Sequence, residues 1–380
     1  MTRLHDYASD ELSILFIITG LRFGGAEKLL FLTCKYLRAQ YSSRIKVVYF
    51  DPYAPMKKLF DEANITTELI EINLLTIPKL IKIMLKERYQ VIHTHLIHAD
   101  ILGRTAAILT LPFHKHVIFT TVHDVHWFRW QRRFYYSLIR RIDFLQTLPM
   151  ACHIIAISDS VKEMLVQRQH YKPSKIKVLY NAIEISDTPE RKEVIESSIR
   201  CLYIGRLVKE KNLPCLLEAM FLLREEPVEL TIVGEGTEEE SLKALAGTLG
   251  ISGSVQFVPA TLETGQYYSS HDVFILPSSL EGLGIVILEA FGFGLPVIGS
   301  NVHGIRELLA ENRGLLFDVN DARGLATQIE TLVTNPQLRI EYGRRGHDYV
   351  IKNHDICVYV RRLHDMYHLA LVANGKQILQ

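Results

Sequence analysis

Asp272–Ser300 reads DVFILPSSLEGLGIVILEAFGFGLPVIGS. The apolar run Val273–Leu276 breaks at Pro277-Ser278-Ser279. Gly282, Leu283 and Gly284 then open a longer apolar stretch that carries Glu289 in its second turn, and Pro296–Gly299 closes the segment. Short apolar runs bounded by Gly, Pro or polar residues read as buried strands, and the longer stretch between them reads as a helix. The segment is one strand–helix–strand unit of a parallel sheet.

The same rhythm runs outward in both directions. Towards the N-terminus, Ile199–Ile204, Glu229–Val233 and Ser254–Phe257 read as further strands of this sheet. Ile185–Ser198 (ISDTPERKEVIESS) is polar and interrupts the pattern as a linker. Before it, Ser13–Thr19, Ile45–Phe50, Val91–Thr94, Val117–Val122 and Ile154–Ile157 form an earlier strand series. The expected fold is therefore α/β, with two consecutive doubly wound, Rossmann-like domains. Ligands of such sheets sit beyond the carboxyl ends of the strands, so the expected site is the cleft between the two domains.

The bulk numbers agree. A chain of 380 residues with 48% hydrophobic residues can bury two cores. With 43 basic and 42 acidic residues, net charge supplies no global argument for nucleic acid as a partner. Five scattered cysteines without a C-x-x-C pair read as buried thiols of a reducing compartment. Met1–Leu12 is polar and is not a signal peptide. No uncharged run reaches the ~20 residues that span a bilayer. The expected location is the cytoplasm, or the cytosolic face of a membrane as a peripheral protein.

Chemistry concentrates where the expected strands end. Glu281 stands in the loop after one strand, where a carboxylate can accept hydrogen bonds from sugar hydroxyls. The amides of Gly282–Ile285, at a helix N-terminus, suit phosphate oxygens. Glu289 is a carboxylate on an apolar helix and needs a partner, for which a ribose diol is suitable. An N-terminal carboxylate with a structural ion pair is the plainer reading of the same two residues. In Tyr203–Asn212 (YIGRLVKEKN), Arg206 and Lys211 suit a diphosphate, the first as a planar fork and the second as a point charge. Gly234 and Gly236 in VGEG, and Gly24-Gly25 in GGAE, permit close backbone approach and serve ordinary turns equally well.

In the first domain, His123 follows a strand end. His93 and His95 share a strand face, but with no evident third ligand they read as packing or acceptor-side residues, so no metal is expected. His126–Leu145 (HWFRWQRRFYYSLIRRIDFL) forms an amphipathic helix. Its apolar stripe, which includes Ile142 and Leu145, is expected to cover the core. Arg129, Arg132, Arg133 and Arg140 on the other side either face an anionic acceptor or lipid surface or are simply solvated.

These residues together resemble the GT-B retaining glycosyltransferases of family 4, the group 1 transferases. The resemblance runs from GGAE at Gly24–Glu27 through GRLVKEKN at Gly205–Asn212 and VGEG at Val233–Gly236 to PSSLEGLGIVILEA at Pro277–Ala290, then GLPVIGS at Gly294–Ser300 and GIRELL at Gly304–Leu309. It implies an acceptor-side domain over residues 1–184, a nucleotide-sugar-binding domain over 185–354, and a C-terminal helix over 355–380 that packs back on the first domain.

It also implies roles. Arg206 and Lys211 hold the donor diphosphate, Glu281 contacts the transferred sugar, Glu289 binds the ribose, and His123 matches the family's active-site histidine. Gly25, Gly234, Gly236, Leu283, Gly284 and Ile285 line the donor site, with Glu307 a further donor-side candidate. The implied reaction moves a hexose from a UDP- or GDP-sugar to a lipid-linked or polysaccharide or lipopolysaccharide acceptor. It proceeds with retention, by a front-face route, without metal or other cofactor. Pro259 and His303 stand where the family often has glycine, which bears on donor identity. A nucleotide-sugar epimerase on this fold and a non-catalytic sugar-nucleotide-binding subunit are the alternatives. The intact set Arg206, Lys211, Glu281 and Glu289 argues against the second.

Overall fold

A computed structural model describes residues 11–123, 141–149, 151–169, 171–185 and 198–376. The chain divides into two compact units. One comprises residues up to Arg22, Ala26–Asn181 and Ile356 onward; the other comprises Phe23–Gly25 and Ala182–Asp355.

The first unit is built on a seven-stranded sheet. Its strands are β1 (Ser13–Ile18), β2 (Arg44–Tyr49), β3 (Thr66–Leu69), β4 (Val91–His95), β5 (Val117–Val122), β6 (Cys152–Ala156) and β7 (Ile176–Val178), in the order β3-β2-β1-β4-β5-β6-β7. Every pairing is parallel. β1, β4 and β5 are buried along nearly their whole length, as a sheet covered by helices on both faces requires. The helix Ile356–Lys376 belongs to this unit and packs on it through residues such as Tyr359, Leu363 and Tyr367, all buried.

The second unit repeats the plan with β8 (Ile199–Ile204), β9 (Val228–Val233), β10 (Val255–Val258), β11 (Val273–Leu276), β12 (Val297–Ser300) and β13 (Leu315–Phe317). Their order is β10-β9-β8-β11-β12-β13, again all parallel. In both sheets the strand order reverses beside the first strand, between β1 and β4 and between β8 and β11. That is where a doubly wound sheet leaves room for a ligand. The five cysteines are free thiols, four of them buried.

One expectation fails. Ile142 and Leu145 were to lie on a core-covering stripe, yet they are 37% and 59% exposed. Residues 141–146 are helical but turn Asp143 and Gln146 inward instead. The reason is Arg104, a fully buried guanidinium that donates to Asp143 and, from Nε, to the Asp100 carbonyl at 2.9 Å. Tyr171 also donates to Asp143. A buried cation without a carboxylate would be far costlier than two exposed aliphatic side chains. Arg129, Arg132, Arg133 and Arg140 lie outside the described residues, as does most of the polar linker.

Candidate functional site

The second unit assembles its candidate residues at the reversal between β8 and β11. These strands are neighbours, with Cys201 opposite Val273 and Leu202 opposite Phe274. The loops that follow them therefore emerge side by side. Lys211, from the loop after β8, reaches Glu281, from the loop after β11, with Nζ 2.6 Å from Oε2. Both side chains are mostly shielded, 17% and 16% exposed, so the pair is stronger than one in open solvent. Ser278 Oγ adds a longer contact to the same carboxylate oxygen.

Hydrogen bonds to main-chain carbonyls lock the two loops together. Ser279 N donates to the Glu210 carbonyl at 2.8 Å, and Asn212 Nδ2 donates to the Pro277 carbonyl. Asn212 is in the left-handed region at φ 53°, which Asn tolerates better than most residues, and it turns the loop into the helix Leu213–Leu222. Ser300, at the end of β12, donates to the Ser278 carbonyl. Gly304 lets the helix His303–Leu309 abut the Glu281–Gly282 backbone: a Cβ there would lie 2.6 Å and 2.5 Å from their carbonyl oxygens.

Arg206 is exposed on the same loop, and its carbonyl accepts a hydrogen bond from the Tyr203 hydroxyl at 2.9 Å. Burial pushes the Tyr203 phenol well up, the nearby Glu281 charge adds to the rise, and the Arg206 charge opposes it. Tyr203 thus lies within the electrostatic reach of both Arg206 and Glu281.

Gly234 and Gly236 serve a neighbouring loop directly. A Cβ on Gly234 would stand 1.9 Å from the Gly205 carbonyl oxygen, and one on Gly236 would stand 2.2 Å from that of Leu207. Their close approach is to the backbone of the loop that carries Arg206 and Lys211. Leu207 N donates to the Glu235 carbonyl and Glu238 N to that of Leu207, completing the weld.

Gly284, at φ 86°, turns the chain into the helix Ile285–Gly292, whose first amides have no partner within the helix. Leu283 and Ile285 are buried. Glu289 is only 7% exposed and accepts a 2.9 Å hydrogen bond from Tyr268, a fully buried phenol stacked on Phe293. Tyr268 is the residue that sequence reasoning missed. Glu307 is half-buried on the helix His303–Leu309, and its carbonyl accepts from Arg313.

Gly25, which belongs to the second unit, is exposed at the first turn of the helix Gly25–Tyr41. His123 follows β5, half-buried, with Nε2 2.9 Å from His95 Nδ1. Burial pushes its pKa down to about 4. His98 is exposed on the next helix and does not join His93 and His95. Among the described residues, no three His, Cys, Asp or Glu side chains converge as metal ligands would.

The family model described as Glycosyl transferases group 1 matches residues 185–349, and that described as Glycosyltransferase Family 4 matches residues 23–187. A lipopolysaccharide core biosynthesis glycosyltransferase of Rhizobium meliloti is 36% identical over 166 residues. The match covers 43% of this chain and only 46% of that relative's length. The UDP-Gal:alpha-D-GlcNAc-diphosphoundecaprenol alpha-1,3-galactosyltransferase of Escherichia coli is 27% identical over 308 residues, covering 76% of this chain and 77% of the relative. The crystal structure of Anabaena Alr3699/HepE in complex with UDP and glucose superposes with a TM-score of 0.82 at 20% identity, over 94% of this chain and 99% of that one. At that identity the likeness is one of fold.

Proposed function

The chain belongs to the GT-B glycosyltransferases of family 4, and we propose that it moves a hexose from a UDP- or GDP-sugar to a lipid-linked or polysaccharide or lipopolysaccharide acceptor. The observation that carries this reading is the joined pair Lys211–Glu281 beside Arg206, at the strand-order reversal of the second sheet. An ammonium has three donors. Lys211 can hold Glu281 with one and give others to a phosphate oxygen, setting the sugar-binding carboxylate and the leaving diphosphate in one geometry. Arg206 adds a fork of donors where charge develops on the leaving group. Glu289, steadied by Tyr268, takes the ribose. The amides at Leu283–Ile285 take phosphate oxygens.

Two cations at the leaving group supply the charge stabilisation that a metal provides elsewhere, so the reaction proceeds without one. Because Glu281 is bound to Lys211, we assign it to the sugar and not to nucleophilic attack. Retention then follows a front-face course in which the donor β-phosphate accepts the acceptor's proton. The UDP and glucose held by the Anabaena protein support a UDP-sugar donor. The diphosphoundecaprenol in the name of the E. coli relative supports a lipid-linked acceptor. Use of such an acceptor is in keeping with work at the cytosolic membrane face. The exposed Ile142, Leu145 and Leu148 and the basic stretch before them are suited to that surface. No helix among the described residues is long and apolar enough to cross a membrane.

The test is donor turnover in wild type and Glu281→Ala, alongside a thermal-shift screen of UDP, GDP and ADP. Transfer should fall at least 100-fold, about 2.7 kcal/mol of transition-state stabilisation. One uridine or guanosine diphosphate should raise the melting temperature. Unchanged turnover in Glu281→Ala removes the site assignment, and a flat response to every nucleotide removes the donor reading.

A further inference from the structure

β4 ends at His95, and His123 stands one residue past the end of β5. The strands are paired with His93 opposite Phe119 and His95 opposite Thr121. Side chains two apart share a face, so His93, His95, Phe119, Thr121 and His123 form one layer. His93 is fully saturated: Nδ1 lies 2.6 Å from the Tyr367 hydroxyl of the C-terminal helix, and Nε2 lies 2.8 Å from Thr121 Oγ1. Its ring stacks on His95 with centroids 4.3 Å apart, and Phe16 lies against both rings. His95 is thus held by packing, and Nδ1 meets His123 Nε2 at 2.9 Å. The residue after it, Leu96, is held at φ 68°, ψ 156°, a region that side chains other than glycine rarely enter. Strain of this kind collects at functional sites.

The remaining atom decides the proton positions. His95 Nε2 is buried and has no hydrogen-bond partner among the described residues. Two neutral imidazoles joined nitrogen to nitrogen share one proton. If His123 donated it, the proton of His95 would sit on Nε2 as a buried N–H without an acceptor. If His95 donates from Nδ1, Nε2 keeps only a bare lone pair. An orphaned buried donor is the rarer and costlier arrangement. His95 therefore donates, and His123 must carry its own proton on Nδ1.

We propose that His95 is a positioning residue that fixes His123 as the Nδ1–H tautomer, so that His123 offers the substrate a hydrogen-bond donor and not a base. The proposal rests on the reading of His123 as an active-site residue. Burial, which depresses the pKa of all three imidazoles, keeps them neutral at physiological pH, so the tautomer and not the charge is what the layer controls. Tyr367 and Thr121 buttress the layer from the C-terminal helix and from β5.

Long-range proton–nitrogen correlation spectra of the full chain, labelled with 15N at histidine, report the tautomer directly. The His123 signals are identified by their loss in His123→Gln. Wild type should show His123 protonated at Nδ1. His95→Phe should return it to the Nε2–H form and lower kcat for transfer about 10-fold or more, with KM for the sugar nucleotide little changed. His95→Asn, whose amide can stand where Nδ1–H stood, should keep the wild-type tautomer and most of kcat, even if the phenylalanine variant does not fold. An Nε2–H signal in wild type overturns the proposal, and so does an Nδ1–H signal that persists in His95→Phe. If the tautomer behaves as expected but His123→Gln transfers sugar normally, the active-site reading of His123 falls and the tautomer assignment stands.

Discussion

Glu289 shows what a single buried carboxylate demands. It rides a helix whose other buried positions are apolar, where an ionised group needs donors to offset desolvation. Tyr268 supplies one, and its own phenol is pushed well up by burial and by the carboxylate beside it. Removing that hydroxyl leaves a buried acceptor short of one donor. Tyr268→Phe should lower unfolding free energy by about 1–2 kcal/mol and weaken binding of the UDP or GDP that raises the melting temperature roughly 5-fold, measured by urea denaturation and by calorimetric titration. An unchanged affinity for that nucleotide would detach Glu289 from the ribose. Glu289 was legible in the sequence as a charge in need of a partner. Tyr268 was not, because it lies 21 residues earlier on a short polar helix with no motif around it. Lys211 and Glu281 were each legible, but their pairing across 70 residues follows from strand order and not from spacing. The cross-strand contact between His95 and His123 is of the same kind.

At the scale of elements, the candidate site consists of loops held by loops. The segment carrying Arg206 and Lys211 lies on the backbone around Gly234 and Gly236, where there is no room for a side chain. Gly234→Ala or Gly236→Ala should destabilise by about 1–3 kcal/mol through overpacking against fixed carbonyls. Because the displaced backbone is that of Gly205 and Leu207, donor turnover should fall as well. Gly247→Ala is the contrasting change. Nothing lies within 4 Å of a Cβ there, on the helix Glu239–Thr248, so it should stabilise by about 0.5–1 kcal/mol and leave turnover intact. Thermal melts with activity assays on the three variants separate the cases; wild-type turnover in both the Gly234 and Gly236 variants would show that the loop's position does not matter. Central strands were readable from their apolar runs because both faces are covered. The edge strands β3, β7 and β13 were not. β3, with sequence TTEL, has no fully buried residue, and β7 (IKV) and β13 (LLF) are too short, at three residues each, to stand out as strands.

The whole molecule should be sensitive to mild acid. His93, His95 and His116 are all at most 3% exposed. Burial pushes His93 down to about 3, His116 down to about 4, and His95 well below its ordinary value. All three are neutral in the folded chain above about pH 5, whereas the unfolded chain protonates them below about pH 6.5. Their contribution to stability is therefore complete above pH 6.5 and is lost as pH falls towards their folded values. Asp100 acts in the opposite sense: burial raises it to about 7. The folded chain thus holds a proton on Asp100 at pH 5 that the unfolded chain does not. Among these four groups, three histidines against one aspartate leave the unfolded chain about two protons richer near pH 5, a slope of roughly 2–3 kcal/mol per pH unit. His123, His153 and His364, each also pushed down to about 4 by burial, steepen it further. Urea denaturation at pH 7, 6 and 5 should show stability nearly level at first and then falling steeply. His116→Phe fills the same space without titrating, so it should reduce the slope by about one proton's worth, ~1.4 kcal/mol per pH unit. Stability that stays level or rises from pH 6.5 to pH 5 would mean that these histidines are not held neutral by the fold.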